Sequence, residues 1–77
     1  MDDTSAQREW LAEVGMRVRL ARVRRRESQE QLAARAAVSR VTLGSIERGD
    51  HPAGVIAYAR LARILGLQLD ELLEGAP

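Results

Sequence analysis

The 77-residue sequence predicts a single all-α domain, and three observations support this fold class. Apolar residues make up 45% of the chain, but phenylalanine is absent and Trp and Tyr occur once each. The core must therefore consist of Leu, Val, Ile and Ala, a composition that favours packed helices. Apolar residues recur at helical spacing, and no alternating segment with an Asn-Gly or Asp-Gly turn is present. The prediction is a compact five-helix domain whose N-terminal residues either extend the first helix or form an extra one.

The first predicted helix contains one ambiguous position, Gly15. Thr4 or Ser5 can cap a helix start, and the helix is expected to run from about Ser5 or Trp10 to Arg25. Its apolar face consists of Leu11, Val14, Val18 and Ala21. A glycine inside a helix costs about 1 kcal/mol relative to alanine. Gly15 therefore marks either a close helix crossing or a break between an N-terminal extension and the helix proper.

Two short helices follow, separated by about three residues. Ser28 has the form of an N-cap, with a glutamine three residues later as a capping box requires, and predicts a helix over residues 29–36. Ser39 is a second N-cap and predicts a helix over residues 40–48, which Gly49 ends. This spacing is typical of a helix-turn-helix unit.

The C-terminal third of the chain predicts a helix over residues 55–65, ended by Gly66, and a short fifth helix over residues 68–74. The fifth helix has more leucines than one short terminal helix can bury by itself, so some are expected to meet a second copy of the chain. The candidate dimer or partner surface consists of Leu67, Leu69, Leu72, Leu73 and Trp10. For the tryptophan the main expectation is a core position or a lid over the fifth helix, and the dimer contact is the alternative.

The net charge of +1 is unevenly distributed along the chain. Residues 1–15 carry a net charge of −3, residues 16–48 carry +6, and residues 49–77 carry −2. Every basic residue is arginine, which suits bidentate contacts to phosphate or guanine. A basic middle between acidic ends predicts a face that binds a polyanion, and the competing interpretation is a solvated charged helix face.

Several classes of protein are excluded or disfavoured. The chain has no cysteine, which excludes a disulfide framework and fits a reducing cytoplasm, and no apolar run approaches the length of a membrane span. No serine or cysteine has a histidine partner in sequence, and no glycine-rich phosphate loop is present, so an enzyme is not expected. The lone His51 has no second histidine or cysteine with which to bind a metal, and no cofactor is expected.

The ordered motifs VGMRVRLAR, SQEQLA, VSRVTLGSIERG and YARLARILGLQLDELL span Val14 to Leu73. This set resembles the phage-repressor-like (Cro-like, XRE-type) helix-turn-helix DNA-binding family. The resemblance implies a repressor-like domain over residues 14–74, with an N-terminal extension at 1–13 and a tail at 75–77. It also implies a cytoplasmic transcription regulator that binds a two-fold symmetric operator in double-stranded DNA as a homodimer.

The resemblance also implies roles for individual residues. The implied base-contacting residues are Arg40, Val41, Thr42 and Ser45. The implied phosphate-contacting residues are Ser28, Gln29, Ser39 and Arg48. Arg22 and Glu47 match a buried ion pair that joins the first helix to the end of the third. Arg40 can donate to both N7 and O6 of one guanine, and Val41 can meet a thymine methyl group.

The sequence departs from the family pattern in two connections. The turn between the second and third helices usually has glycine where this chain has Ala37, which predicts a modestly strained turn. The residues before Ser28 are Arg26 and Glu27 rather than glycine and an apolar residue, so that connection is expected to be polar and exposed. Residues 24–26, all arginine, then form either a phosphate-binding cluster or a solvated helix end.

A protein-interaction module is the alternative function, in the manner of an antitoxin-like regulatory subunit with the same fold. Met16, Leu20 and Val23 form a second apolar stripe on the first helix, away from its core face. This stripe is either partly exposed or covered by the N-terminal segment or by a protein partner.

Overall fold

The computed structural model describes residues 3–50 and 52–77, and in these residues the chain forms five α-helices and no β-strand. The helices are α1 (Asp3–Arg24), α2 (Gln29–Ala36), α3 (Arg40–Arg48), α4 (Val55–Leu65) and α5 (Leu69–Leu72). The all-α fold class and the five-helix count predicted from the sequence are confirmed. The predicted α2, α3 and α4 match the observed bounds. No helix in the described part of the chain is long and apolar enough to span a membrane.

The core is aliphatic, as the composition predicts. Its fully buried large side chains are Leu32, Leu43, Leu61, Leu72, Val14 and Val18. They come from all five helices, so each helix contributes to one shared apolar centre. Tyr58 is the one buried aromatic residue of this core, and its hydroxyl accepts a hydrogen bond from the Ala53 N–H at 3.2 Å.

The long helix α1 is continuous through Gly15, and the glycine marks a close crossing over α3. A Cβ atom at position 15 would lie 2.3 Å from the Ile46 carbonyl oxygen and 2.7 Å from that of Glu47. Gly49, which ends α3 with φ = 69°, would place a Cβ 2.8 Å from the Ala12 Cα. The backbones of α1 and α3 therefore touch, and only glycine fits at the crossing.

Both helices of the helix-turn-helix unit begin at the predicted serine caps. The Ser28 hydroxyl accepts from the Gln31 N–H at 3.1 Å, and the Gln31 side chain accepts from the Ser28 N–H at 2.8 Å. The Ser39 hydroxyl accepts from the Thr42 N–H at 2.9 Å. These contacts satisfy backbone donors that would otherwise lack partners at the helix starts.

The turn between α2 and α3 places a non-glycine residue in the left-handed region. Ala37 has φ = 56° and ψ = 42°, so the backbone adopts the conformation that the glycine of the family pattern would provide, with a steric cost at Cβ. Arg60 of α4 donates from Nη1 to the Ala37 carbonyl at 3.1 Å, which ties the turn to the body of the domain.

The C-terminal leucines and Trp10 pack within one copy of the chain, which changes the predicted dimer surface. The Trp10 indole donates to the Leu73 carbonyl at 3.1 Å, so the tryptophan is a lid over α5. Leu72 is fully buried in the core and has no surface to offer a partner. Leu67, Leu69 and Leu73 are half-buried against the same core. Helix α5 has only four residues and is shorter than predicted.

The connection before α2 is less exposed than predicted. Arg26 takes a left-handed φ of 57° and is exposed, but the side chain of Glu27 is only 13% exposed and pairs with Arg35. The expectation of an exposed connection is wrong at Glu27, because the chain turns inward there and its carbonyl accepts from Arg22 at 2.8 Å. Arg25 donates to the Ile64 and Leu65 carbonyls at 2.8 Å, at the end of α4, and so is engaged within the fold.

The crossing at Gly15 predicts a large difference between two glycine substitutions. Gly15→Ala should destabilise the domain by about 1–3 kcal/mol or more, because its methyl group meets fixed backbone. Gly44→Ala, also in a helix, should be close to neutral, because its nearest neighbour is the movable Arg48 guanidinium at 3.1 Å. Urea unfolding of both variants measures this difference, and equal stabilities would contradict a backbone contact at the crossing.

The left-handed turn predicts a stabilising substitution. Ala37→Gly should raise the free energy of unfolding by roughly 1 kcal/mol, because glycine adopts this conformation without the Cβ clash. Ala34→Gly, at an exposed position inside α2, is the control and should lower it by about 1 kcal/mol. Thermal unfolding of the two variants should shift the midpoint in opposite directions, and a lower midpoint for Ala37→Gly would show that the turn is not strained.

Candidate nucleic-acid interface

The first turn of α3 presents two exposed side chains that can reach a ligand. The Arg40 side chain is 62% exposed and lies 4.0 Å from Glu30, its nearest acidic partner. Val41 is 77% exposed and is the most exposed large apolar residue in the described part of the chain. The inward side of α3 is buried through Leu43, Gly44 and Ile46. One face of α3 therefore packs against the core, and the other face is open to solvent.

Thr42 and Ser45, the other predicted base-contacting residues, are only partly exposed. The Ser39 hydroxyl donates to Thr42 Oγ1 at 2.8 Å while it caps the helix. Ser39, predicted as a phosphate contact, thus already has a structural role at this position. Together with Val41, the two partly exposed residues line a shallow cavity of about 240 Å³ that reaches Pro52 and Ala53.

A buried ion pair fixes the end of α3 to α1. Arg22 Nε lies 2.7 Å from Glu47 Oε2, and Arg22 Nη2 lies 2.9 Å from Oε1, which is a bidentate arrangement. The side chains are 14% and 4% exposed, respectively. The hydrogen bonds to the Glu47 carboxylate raise the pKa of the Arg22 guanidinium against the lowering effect of burial. The guanidinium is therefore charged, and the pair keeps α1 and α3 in register.

The same carboxylate also holds Gln29, the predicted phosphate contact at the start of α2. Gln29 Nε2 donates to Glu47 Oε1 at 3.2 Å. One amide hydrogen is committed to this bond, and the other remains for a ligand. Glu47 thus links α1, α2 and α3 through a single side chain. Ser28, the residue before Gln29, is engaged as the cap of α2.

A small polar cleft of about 180 Å³ lies beside this network. It is lined by Arg19, Arg22, Gln29, Glu47 and Arg48. Arg48 pairs with Asp50 at 2.6 Å on the surface and is 62% exposed. Arg19 was not predicted from the sequence, although its position one helical turn before Arg22 could have revealed it. The cleft brings two exposed guanidinium groups to one edge of the recognition unit.

The basic middle of the chain is not one continuous surface, because several arginines bond to backbone carbonyls. Arg17 donates to the Leu72 and Glu74 carbonyls at 2.9 and 2.7 Å. Arg25 and Arg60 make similar bonds at the end of α4 and at the inter-helix turn. A cluster formed by residues 24–26 is therefore not a free unit. In the residues that the structure describes, no group of acidic, histidine or cysteine side chains could hold a metal ion, and His51 lies outside them.

The chain belongs to the Cro-like, XRE-type helix-turn-helix family of DNA-binding transcription regulators. The family model described as a helix-turn-helix domain matches residues 13–74, most of the sequence. This match confirms the family that the sequence motifs predict, and with it the class of protein. No curated protein sequence matches the chain.

Among solved structures, the chain is similar to the restriction-modification controller protein C.AhdI from Aeromonas hydrophila. The two are 32% identical, with a TM-score of 0.74. The match covers 80% of this chain and 94% of the controller protein. The similarity thus includes nearly the whole chain of the controller protein.

The Glu47 network predicts unequal costs for breaking two ion pairs. Glu47→Ala should lower the free energy of unfolding by about 3 kcal/mol, because it leaves Arg22 buried without a partner. Asp50→Ala removes the exposed partner of Arg48 and should cost no more than about 1 kcal/mol. Urea unfolding at neutral pH compares the two variants. A cost below that of Asp50→Ala would show that the buried pair does not anchor α3.

Proposed function

We propose that this protein is a sequence-specific transcription regulator that binds a two-fold symmetric operator as a homodimer. The observation that carries the proposal is the exposure of Arg40 and Val41 on the first turn of α3. In a helix-turn-helix unit, this end of the recognition helix contacts base edges in the major groove. Ser45, one turn further along, can add a weak contact, and Thr42 can offer its methyl group.

The proposed reading of DNA rests on few direct contacts. Arg40 supplies the strong contact, since a guanidinium can bond both acceptors of one guanine. Val41 favours thymine through its methyl group. Each recognition helix thus has one side chain that strongly distinguishes between bases. Part of the sequence specificity therefore comes from the shape and stiffness of the DNA between the half-sites.

In this proposal, contacts to the DNA sugar-phosphate backbone position the recognition helix. Gln29 at the start of α2 and Arg48 at the end of α3 flank the helix, and Arg19 adds a third donor at the cleft they share. Contacts of this kind fix orientation and register on the duplex but carry no sequence information directly. Ser28 and Ser39 act mainly as caps, and their exposed hydroxyl groups can approach phosphate at the helix starts.

Dimerisation follows from the expected operator symmetry. Two copies with recognition helices one turn of DNA apart, about 34 Å, read two half-sites related by a two-fold axis. The controller role named for C.AhdI supports a regulatory rather than an enzymatic function for this chain. It also suggests restriction and modification genes as the first regulated genes to examine.

Arg40→Ala should abolish the preference at one base position of each half-site, a loss of about 1–3 kcal/mol of discrimination. Gln29→Ala should weaken binding to all sequences about equally, because it removes a backbone contact. The measurement selects bound DNA from a random pool for each variant and follows affinity against salt concentration.

Arg63→Ala is the matched control, because it removes one exposed positive charge from the last turn of α4, outside the cleft and the first turn of α3. Its selected sequence should equal that of the unmodified protein. Failure of the unmodified protein to select any sequence at low salt would overturn the proposed function. A complex with one chain per selected operator would overturn the homodimer.

A further inference from the structure

The outward face of α1 carries an apolar stripe that the fold leaves open. Met16, Leu20 and Val23 are 47%, 46% and 52% exposed. The N-terminal segment does not cover them, because residues 3–15 belong to the same continuous helix. The alternative of an N-terminal cover is therefore wrong for the described residues. The apolar core already has its α1 contribution from Val14 and Val18, so the stripe is additional to it.

The stripe continues a regular seam along α1. Residues 9, 13, 16, 20 and 23 follow one another at alternating intervals of four and three, the spacing by which one helix packs along another. The first two positions are Glu9 and Glu13, and both are exposed. The exposed Arg24 and Arg26 lie just beyond the last position. The face is thus acidic at its N-terminal end, apolar in the middle and basic at its C-terminal end.

We propose that this face binds a second copy of the same chain in an antiparallel, two-fold contact. The antiparallel arrangement places Leu20 near the axis and Met16 opposite Val23 of the other copy. It also brings Glu13 to the basic C-terminal end of the other α1, at Arg24 and Arg26. A parallel arrangement would instead place like charges together. A face that is complementary to itself in this way fits an isologous contact better than a contact with an unrelated protein.

Acidic side chains of the C-terminal segment border one side of the stripe. Leu20 and Arg24 border a groove of about 320 Å³ between α1 and α5, and Glu71 and Glu74 line its other side. Glu13 is 64% exposed and forms an ion pair with Arg17 of the same helix at 3.5 Å. The stripe has only three apolar side chains, far fewer than the roughly 20–30 residues per side of a stable interface. The association is therefore weak and depends on protein concentration.

This contact is different from the operator-bound arrangement. The residues of α1 that touch α3, Ala12, Gly15 and Arg22, lie about a quarter turn around α1 from the stripe. A two-fold pair of α1 helices then has both α3 helices on the same side. Since packed helix axes are about 8–10 Å apart, the recognition helices lie much closer than the ~34 Å between half-sites. The pair formed through α1 is a DNA-free form, and operator DNA competes with it.

Sedimentation of the full chain without DNA, over a concentration series, tests the contact. The unmodified protein should change from one chain to two as concentration rises, and Leu20→Glu should weaken this association at least tenfold. Ile56→Glu is the matched control, because Ile56 on α4 is 63% exposed but lies outside the face, and it should have no effect. Circular dichroism melting checks that each variant is folded. A monomer at all concentrations, or an effect of Ile56→Glu alone, would overturn the proposal.

Exchanging charges tests the antiparallel register. Glu13→Arg and Arg24→Glu should each weaken the association several-fold, and the double variant should recover most of it. A double variant weaker than either single variant would overturn the register.

A third measurement separates this contact from the proposed function. Leu20→Glu should bind the selected operator at least as tightly as the unmodified protein, with two chains per site. Loss of operator binding by folded Leu20→Glu would show that the α1 face belongs to the operator complex, against the proposal. If no DNA is selected at all, the proposed function fails while the sedimentation result still decides the α1 contact.

Discussion

The crossing of α1 over α3 is the constraint on which the rest of the structure depends. Gly15 lets the two backbones touch, and the Arg22–Glu47 pair fixes the angle and register at the other end of the contact. Because Glu47 also accepts from Gln29, the start of α2 is held by the same group. A buried ion pair is weak evidence for net stability, but here it makes three helices share one carboxylate. The exposed turn of α3 is consequently presented from a rigid support.

Most of the fold could be predicted from the sequence because its signals are local. Ser28, Ser39, Gly49 and Gly66 each start or end a helix through contacts within a few residues, and these positions matched the observed bounds. The apolar spacing of α1 likewise gave its buried face. The length of α5 was overestimated, because the spacing of its leucines does not show that the chain turns after Leu72.

Contacts between distant residues were the part that the sequence could not determine. Trp10 reaches a carbonyl 63 positions away, and Arg25 reaches carbonyls 39 and 40 positions away. Nothing in a local pattern distinguishes Arg25 from a surface residue, and the lid predicted for Trp10 did not identify the carbonyl that it bonds. At the candidate site the sequence motif indicated Gln29 and Arg40 but not Arg19, which lies one helical turn before Arg22 and which the packing of α1 beside α3 brings to the cleft.

Counting charged residues along the sequence overestimates the positive charge that is available to a ligand, because some of the arginines are bonded within the fold. The ends of α-helices leave carbonyl groups without partners, and a guanidinium is well suited to satisfy two of them at once. Arg25 does this at the end of α4, and Arg17 does it around α5. Arg60 satisfies the carbonyl of Ala37, where the backbone is strained. At the candidate site the positive charge comes from Arg19, Arg40 and Arg48, at positions that the α1 crossing defines.

The two faces of α1 carry different physical demands. The face toward α3 must be narrow, and the sequence meets this with Ala12 and Gly15. The outward face does not need small residues. Met16, Leu20 and Val23 expose apolar area there that no intramolecular contact requires. Apolar side chains at such positions reduce solubility unless something covers them, and a polar residue would form the helix equally well. The charge along this face changes from acidic to basic. A second copy of the chain in antiparallel orientation therefore complements it, and no other protein is needed to cover the apolar side chains.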